Sequence, residues 1–587
     1  MMLPMPNTGT LTASEPATSL ESTFDYTPRI LKFGTSGRRG EVVHLSQLEI
    51  YINALAELEY LQSQSPADGG IKRGDEFYFA ADLRPSSTKF VPEQGGRGEI
   101  AQAIEQAIAD AGMKPVNLGL LPTPALTFYA TRRQRGSMMI TGSHIPFDRN
   151  GYKTNSAKGE LLKNDEPPIA ANVEQVRARL YAEPAKESSF DRHGRLKIGS
   201  HALSPELADA RETYIHRYTD FFPSNGLAGK RLLVYQHSAV GRDLLVDLLK
   251  RFGAEVIPTG RSETFVPIDT EAIDDATLAT LQLMTTAAIK QHGKIDAVVS
   301  TDGDSDRPLV LGVDPAGKVR FFGGDLVGMV VAEYLQADAV VVPISCNDAI
   351  DLGALKKRVQ PKTRIGSPFV ITGMAQAQKN GHQAVVGWEA NGGFLTGSDI
   401  TCDGKTLHAL PTRDAILPLL GTLFAGFSQN LTVTDLFDRL PARFSRAALL
   451  RNFPRSVSVQ IVKQFSPASP SVTDVIFETT SIRPLDVAGQ LVADVNPQSL
   501  WAIKSALEKY FTPAFGFAAV TQLNFTDGVR IYFANGDVAH VRPSGNADEL
   551  RIYAVADTQA RADAITAAGV LEPAGILRKL EKAVSLA

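Results

Sequence analysis

Apolar residues recur along this chain with two alternating spacings. Short continuous runs, Phe77 to Ala81, Gly136 to Ile140, Arg231 to Tyr235 and Ile295 to Ser300, read as buried strands. Between them, Glu99 to Gly112 and Arg242 to Phe252 repeat apolar positions at helical spacing, the first ended by a glycine. A third round begins near Gly324, with a helix over Leu326 to Leu335, an apolar run from Ala339 to Ile344 and a strand from Gln383 to Trp388. Strands joined by crossover helices predict mostly parallel sheets. The pattern then changes: Val520 to Phe525, Val529 to Ala534, Val538 to Arg542 and Leu550 to Val555 are closely spaced strands with turn signals such as Asn535-Gly536, which predict an antiparallel unit. A tail rich in Ala, Leu and Lys closes the chain as helix. The predicted class is α/β: three similar α/β domains with mixed, mostly parallel sheets, over 29–205, 206–320 and 321–440, plus a C-terminal α+β domain over 441–587. No internal repeat is visible in the sequence itself.

Length and composition agree with that division. A chain of 587 residues exceeds one hydrophobic core, and roughly 150 residues per domain gives about four. Hydrophobic residues at 43% and charged residues at 21% describe an ordinary globular protein. A net charge of −4 argues against a nucleic-acid partner, which needs a broad basic surface, so any anion site must be local. The longest apolar stretches, such as Ala415 to Phe427, are too short to span a bilayer, and no membrane partner is expected. Residues 1–28 contain no Lys or Arg, include Glu15, Glu21 and Asp25, and are rich in Ser, Thr and Pro; they read as a flexible tail and not as a secretory signal. The two cysteines, Cys346 and Cys402, lie far apart and support neither a disulfide framework nor a zinc site. A reducing compartment, the cytoplasm, is expected.

Five strings carry candidate chemistry. Thr301-Asp302-Gly303-Asp304-Ser305-Asp306-Arg307 lies between two apolar strands, and three carboxylates at alternate positions can converge on one hard cation such as magnesium or calcium. A calcium loop of the helix–loop–helix type would need Gly at Arg307 and Glu at Val313, so that reading fails. Thr141-Gly142-Ser143-His144-Ile145-Pro146 leaves a strand, where α/β folds present residues to ligands, and makes Ser143 a candidate nucleophile. It lacks the GxSxG elbow of hydrolases, and adjacent Ser143 and His144 would not meet as nucleophile and base. Phe33-Gly34-Thr35-Ser36-Gly37-Arg38-Arg39-Gly40 is a glycine-punctuated loop with two guanidinium groups suited to an anion. Gly387-Trp388-Glu389-Ala390-Asn391-Gly392-Gly393 sets Glu389 and Asn391 at alternate positions, able to face vicinal hydroxyls together. Arg542-Pro543-Ser544-Gly545-Asn546 offers a guanidinium, a hydroxyl and amides to a phosphate. Taken singly, each of the last three is also compatible with an ordinary loop.

Together and in this order the strings resemble the α-D-phosphohexomutases, from about Phe33 to Ala556. GTSGRRG is similar to the family's amino-terminal GTSGxRG, TGSHIPFDRNGYK to its phosphoserine loop, and DGDSDR matches its metal loop DGDxDR. The resemblance implies four domains around a central cleft and an enzyme that interconverts hexose 1-phosphate and hexose 6-phosphate through a phosphoserine at Ser143 and a bisphosphorylated sugar. It implies Mg2+ held by Ser143, Asp302, Asp304 and Asp306, and a hexose 1,6-bisphosphate activator. Arg39, His144 and Lys153 are implied as candidates for proton transfer, with Arg307 neutralising charge. Glu389 and Asn391 would read the sugar, and Arg542, Ser544, Gly545 and Asn546 would hold the distal phosphate.

Two departures bear on the substrate. Asn391 and Gly393 stand where the sugar loop usually carries Ser and a final His or Gly, and Asn546-Ala547-Asp548 replaces a usual Thr-Glu-Pro. The expected activity is that of a phosphomannomutase, since RPSGNA and EANGG look more like the bacterial mannose branch. Phosphoglucomutase is the alternative, and phosphoglucosamine mutase is disfavoured by the absence of GEQSGH. A non-catalytic phosphosugar-binding relative would be expected to lose the nucleophile or a carboxylate, and this chain keeps Ser143, Asp302, Asp304 and Asp306. A metal-dependent hydrolase is a third reading, separable by product partition. The sequence leaves the oligomeric state open.

Overall fold

The computed structural model describes residues 18–271, 273–544 and 548–585. Three successive α/β units each build a sheet on one plan. In the first, β1 (Arg38–Glu41), β2 (Glu76–Ala81), β3 (Lys114–Leu120), β4 (Ser137–Ile140) and β5 (Arg149–Ser156) lie in the order β1-β5-β4-β2-β3. In the second, β6 (Arg231–His237), β7 (Glu255–Arg261), β8 (Ala297–Thr301), β9 (Pro308–Val313) and β10 (Val319–Phe322) lie in the order β7-β6-β8-β9-β10. The third orders β11 (Ala339–Val341), β12 (Val385–Trp388), β13 (Phe394–Thr396) and β14 (Leu410–Asp414) consecutively, with parallel bridges from Val340 to Val359 and from Pro343 to Thr363 on the outer side of β11.

The shared plan explains where the chemistry sits. In each unit a central strand (β2, β6 or β11) has a parallel neighbour reached by a crossover helix (β4, β8 or β12), and that neighbour turns straight back into an antiparallel partner (β5, β9 or β13). The sheets are therefore mixed, with a parallel half and an antiparallel half, and parallel pairing does not dominate. The reason is loop length: a connection of a few residues can join only antiparallel strands. Those three tight loops are the ones that carry Ser143, the three aspartates, and Glu389 with Asn391. A repeat invisible in the residues is thus plain in the topology.

The fourth unit is a seven-stranded antiparallel sheet. Its strands are β15 (Phe444–Arg451), β16 (Asp474–Phe477), β17 (Ile482–Leu485), β18 (Val520–Asn524), β19 (Val529–Phe533), β20 (Val538–Pro543) and β21 (Glu549–Ala556), in the order β15-β21-β20-β19-β18-β16-β17. Two helices, Gln559–Val570 and Ile576–Ser585, follow the last strand.

Residues 18–28, assigned to a flexible tail in the sequence reading, are docked. Leu20 is buried, its amide donates to the Glu183 carbonyl at 2.8 Å, and Phe24 meets Tyr181 edge to face at 5.2 Å. Isolated apolar residues in a polar stretch were the signal, too sparse to form a period. The remainder of the expected tail lies outside the described residues. The apolar run from Ala339 to Ile344 is strand only as far as Val341, because Pro343 has no amide hydrogen to continue a ladder. Among the described residues no helix is long and apolar enough to cross a membrane.

One apolar core runs through the first three units, from Leu126 and Tyr129 through Phe222 and Val299 to Val331, Trp388 and Leu420. Gly328 is required there, since a Cβ would come within 2.4 Å of the Trp388 indole. The fourth unit has its own core around Phe453, Ile531, Ile552 and Leu577. It joins the third through polar contacts: Arg443 pairs with Asp348 at 2.8 Å, and the buried Arg530 donates to the Ile344 carbonyl at 2.8 Å.

A buried clamp ties the second unit to the third. Helix Asp209–Thr219 sends Tyr214 and Tyr218 hydroxyls and the Arg217 guanidinium to the Asp414 carboxylate, and Arg217 also donates to Thr396 Oγ1 at 3.1 Å and the His408 carbonyl at 2.9 Å. Removing one member of a buried ionic cluster leaves the rest uncompensated. Asp414→Ala is therefore expected to destabilise the folded state by about 3–5 kcal/mol, read as a lower thermal midpoint; an unchanged midpoint would contradict this account.

Candidate active site

The serine loop is built around a buried guanidinium. Asp82, at the end of β2, accepts the Thr141 hydroxyl at 2.8 Å and the Arg84 amide at 3.0 Å. The Arg84 side chain, 1% exposed, donates to the carbonyls of Ser143 (2.9 Å), Pro146 (2.8 Å) and Arg149 (2.9 Å), and also to that of Ile145. Its other face lies 3.8 Å from the ring centre of Phe265, from the second unit. This clasp holds Ser143 at a φ of +54°, a left-handed conformation that costs on the order of 1–3 kcal/mol for a residue with a Cβ. Gly142 must be glycine, because a Cβ would lie 2.6 Å from Arg84 Nε.

Ser143 is fully buried, and its Oγ donates to Asp302 Oδ2 at 2.7 Å. Asp302 is oriented by its own loop, with Oδ1 accepting the Asp306 and Arg307 amides at 3.1 and 3.2 Å. Gly303 lets the two loops touch, since a Cβ there would come 2.7 Å from the Ser143 carbonyl. Asp304 Oδ2 accepts Thr123 Oγ1 at 2.6 Å and Lys153 Nζ at 2.8 Å. Asp306 Oδ2 accepts Lys153 Nζ at 2.7 Å and Arg413 Nη2 at 2.9 Å.

The donor set fits a hard divalent cation. Asp302, Asp304 and Asp306 bring one carboxylate oxygen each within 4.8 Å of one another, all buried, and Asp304 Oδ1 and Asp306 Oδ1 have no hydrogen-bond partner among the described residues. Oxygen donors with uncompensated lone pairs suit magnesium. Burial, with Asp304 and Asp306 beside it, pushes the Asp302 carboxyl well above the usual range. Burial acts on Asp306 too, but Arg413, Lys153 and Arg307 outweigh it and hold that carboxyl far below the usual range.

Cations surround the carboxylates. Arg307 Nε lies 3.6 Å from Asp306 and 3.9 Å from Asp302, at ion-pair distance without a hydrogen bond. Arg39, on β1 opposite Gly151, has its guanidinium lowered to about 10 by burial and by the neighbouring Arg307. His144 is pushed well below the usual imidazole range by burial and by Arg307, Arg39 and Arg551, so it is neutral at neutral pH.

The sugar loop joins the same network. Glu389 Oε2 accepts Arg413 Nη1 at 3.0 Å, so Arg413 bridges this loop and the metal loop. Asn391 Oδ1 accepts the Gly393 amide at 3.0 Å, which shapes the turn and leaves its amide nitrogen for another acceptor. Arg542 and Arg551 are cross-strand partners on β20 and β21, giving paired guanidinium groups beside the buried Ser544. Gly545 and Asn546 lie outside the described residues.

The structure thus brings together Ser143, Lys153, Asp302, Asp304, Asp306, Arg307 and Glu389, with Arg39 and His144 in their electrostatic surroundings. Sequence reading missed Arg84, Arg413 and Arg551. Each lies outside a recognisable string, and only the spacing of Arg551 nine positions after Arg542, on the next predicted strand, gave any hint.

Residues 31–179 match the phosphoglucomutase/phosphomannomutase alpha/beta/alpha domain I, residues 323–444 its alpha/beta/alpha domain III, and residues 496–570 its C-terminal domain. A phosphomannomutase of Sinorhizobium fredii is 36% identical over 541 residues, covering 92% of this chain and 98% of that protein. A phosphomannomutase of Salmonella muenchen is 34% identical over 539 residues, covering 90% and 92%. The fold is shared with a phosphoglucomutase/phosphomannomutase family protein from Burkholderia thailandensis, at a TM-score of 0.59 and 16% identity over 95% of this chain and 98% of that one. Sequence, fold and the meeting of the serine and aspartate loops agree: the chain belongs to the phosphoglucomutase/phosphomannomutase family.

Proposed function

We propose that this protein is a phosphomannomutase, interconverting mannose 1-phosphate and mannose 6-phosphate through a phosphoserine at Ser143 and a bisphosphorylated sugar. The observation that carries the reading is the 2.7 Å contact between Ser143 Oγ and Asp302, beside two further buried carboxylates. The two relatives above, which span nearly the whole chain, are both named phosphomannomutases. Glucose phosphates are the competing substrates.

In the forward half-reaction the bond between phosphorus and Ser143 Oγ breaks as a sugar hydroxyl oxygen bonds to phosphorus. The hydroxyl proton passes to a neighbouring group, with Arg39, His144 and Lys153 the candidates around the loop, and the departing Ser143 Oγ takes up a proton to become the free hydroxyl. The bisphosphate then turns over, and its other phosphoryl group returns to Oγ. Asp302, Asp304 and Asp306 would hold magnesium, which when bound would supply charge neutralisation at the transferring phosphoryl group. Arg84 keeps Oγ aimed at the acceptor. Glu389 and Asn391 hydrogen-bond the sugar hydroxyls, and Arg542, Ser544, Gly545, Asn546 and Arg551 hold the phosphate that is not reacting. A hexose 1,6-bisphosphate would recharge Ser143 when the intermediate escapes. The two cysteines are free, in keeping with a reducing compartment such as the cytoplasm.

Ser143→Ala should abolish exchange between the sugar phosphates, because no hydroxyl remains to hold the phosphoryl group; turnover near wild type would overturn the mechanism. Under one bisphosphate activator, kcat/KM should be higher for mannose 1-phosphate than for glucose 1-phosphate or glucosamine 1-phosphate, and the reverse order would reassign the sugar. Arg413→Lys keeps charge but cannot bridge Asp306 and Glu389. It should lower activity or apparent magnesium affinity about 10–100-fold, measured by magnesium titration of the rate.

A further inference from the structure

Asp527 lies in the turn between β18 and β19, and its carboxylate faces two ways. Oδ2 accepts the amide of Ile365, in the third unit, at 3.0 Å. Oδ1 lies 3.6 Å from Arg542 Nε, and that nitrogen is buried without a hydrogen-bond partner among the described residues. The turn is pressed onto β20. Gly528 has a φ of +83°, and a Cβ on it would lie 2.4 Å from the Val541 carbonyl and 2.7 Å from Arg542 Cβ, so no side chain fits between the turn and the arginine. The Asp527 carbonyl also accepts from His540 Nε2 at 2.5 Å, fixing the turn on the same strand.

The segment that receives Oδ2 is itself a junction. Ser367, two residues beyond Ile365, donates to Glu160 of the first unit at 2.6 Å, and a Cβ on Gly366 would lie 3.0 Å from Thr35 in the amino-terminal loop. Other contacts between the third and fourth units, among them Arg530 to the Ile344 carbonyl, Arg443 to Asp348 and Ser445 Oγ to Asp325, do not touch Arg542. Asp527 does both jobs with one side chain.

We propose that Asp527 is a positioning residue that couples docking of the fourth unit to the aim of Arg542. With the domain docked, Ile365 fixes the carboxylate, and the carboxylate and Tyr553 on β21 together orient the guanidinium; with the domain swung away, the carboxylate loses its amide donor and Arg542 is left with Tyr553 as its fixed restraint. Phosphosugar affinity is then highest in the docked arrangement, so bound phosphate favours docking by linkage. The proposal rests on the reading of Arg542 as a phosphate ligand.

The test is a double-mutant cycle with Asp527→Asn, Asp527→Ala and Arg542→Ala, using mannose 1-phosphate as substrate and inorganic phosphate as competing ligand. Asn keeps an oxygen for the Ile365 amide but removes the charge beside Arg542, and Ala removes both. Asp527→Asn should raise KM and the inhibition constant of phosphate about three- to ten-fold while kcat changes little, as for coupled neighbours. Asp527→Ala should raise KM further and lower kcat as well, because docking is also weakened. In the Arg542→Ala background Asp527→Asn should add almost nothing. A wild-type KM for Asp527→Asn, or independent multiplicative effects of the two substitutions, would overturn the coupling while leaving Arg542 as a phosphate ligand. Unchanged KM and phosphate inhibition in Arg542→Ala alone would overturn the phosphate reading, and this proposal with it.

Discussion

Three carboxylates buried within 4.8 Å of one another cannot all be ionised unless positive charge is brought to them, and much of the architecture answers that demand. The cations come from three different units: Lys153 from the first, Arg307 from the second and Arg413 from the third. Lys153 reaches the cluster from the middle of β5, Arg307 from a tight loop and Arg413 from near the end of β14. The arrangement of the first three units relative to one another is therefore partly an electrostatic matter. Displacing one would strand a buried charge, and the Asp414 clamp next to Arg413 in sequence secures the unit that supplies the third cation.

The imbalance within the cluster carries chemical meaning. Arg413, Lys153 and Arg307 hold the Asp306 carboxyl below its usual range, whereas burial and the neighbouring Asp304 and Asp306 push that of Asp302, which meets the Ser143 hydroxyl, above it. A divalent cation would relieve that crowding, since it interacts more strongly with ionised oxygens than an amide or hydroxyl can. The strained backbone at Ser143 fits the same logic. A left-handed serine is held at the cleft because Arg84 gathers the carbonyls of the loop that follows it, and because Gly303 leaves room for the opposing loop.

The fourth unit stands apart physically. Its apolar core is separate, and its attachment to the third unit is through ion pairs and side-chain to backbone hydrogen bonds instead of a shared core. Such contacts break and reform at lower cost than packed apolar surface.

The sequence alone determined what depends on local pattern. Strand and helix periods, the alternation that marks three α/β units, the antiparallel hairpins of the fourth, and the strings around Ser143, Asp302 and Glu389 were all legible, because each is set by neighbours a few residues apart. It did not determine sheet polarity within each unit, the docking of residues 18–28, or the roles of Arg84, Arg413 and Asp527. Arg84 serves a loop some sixty residues away, Arg413 joins carboxylates on two other loops, and Asp527 bonds an amide 162 positions distant. A charged residue in a sequence reads as solvated surface by default. Only the tertiary structure shows that Arg84 and Arg413 are buried and that Asp527 is half-buried between two units, and shielding from water is what turns each from a surface charge into a structural or chemical constraint.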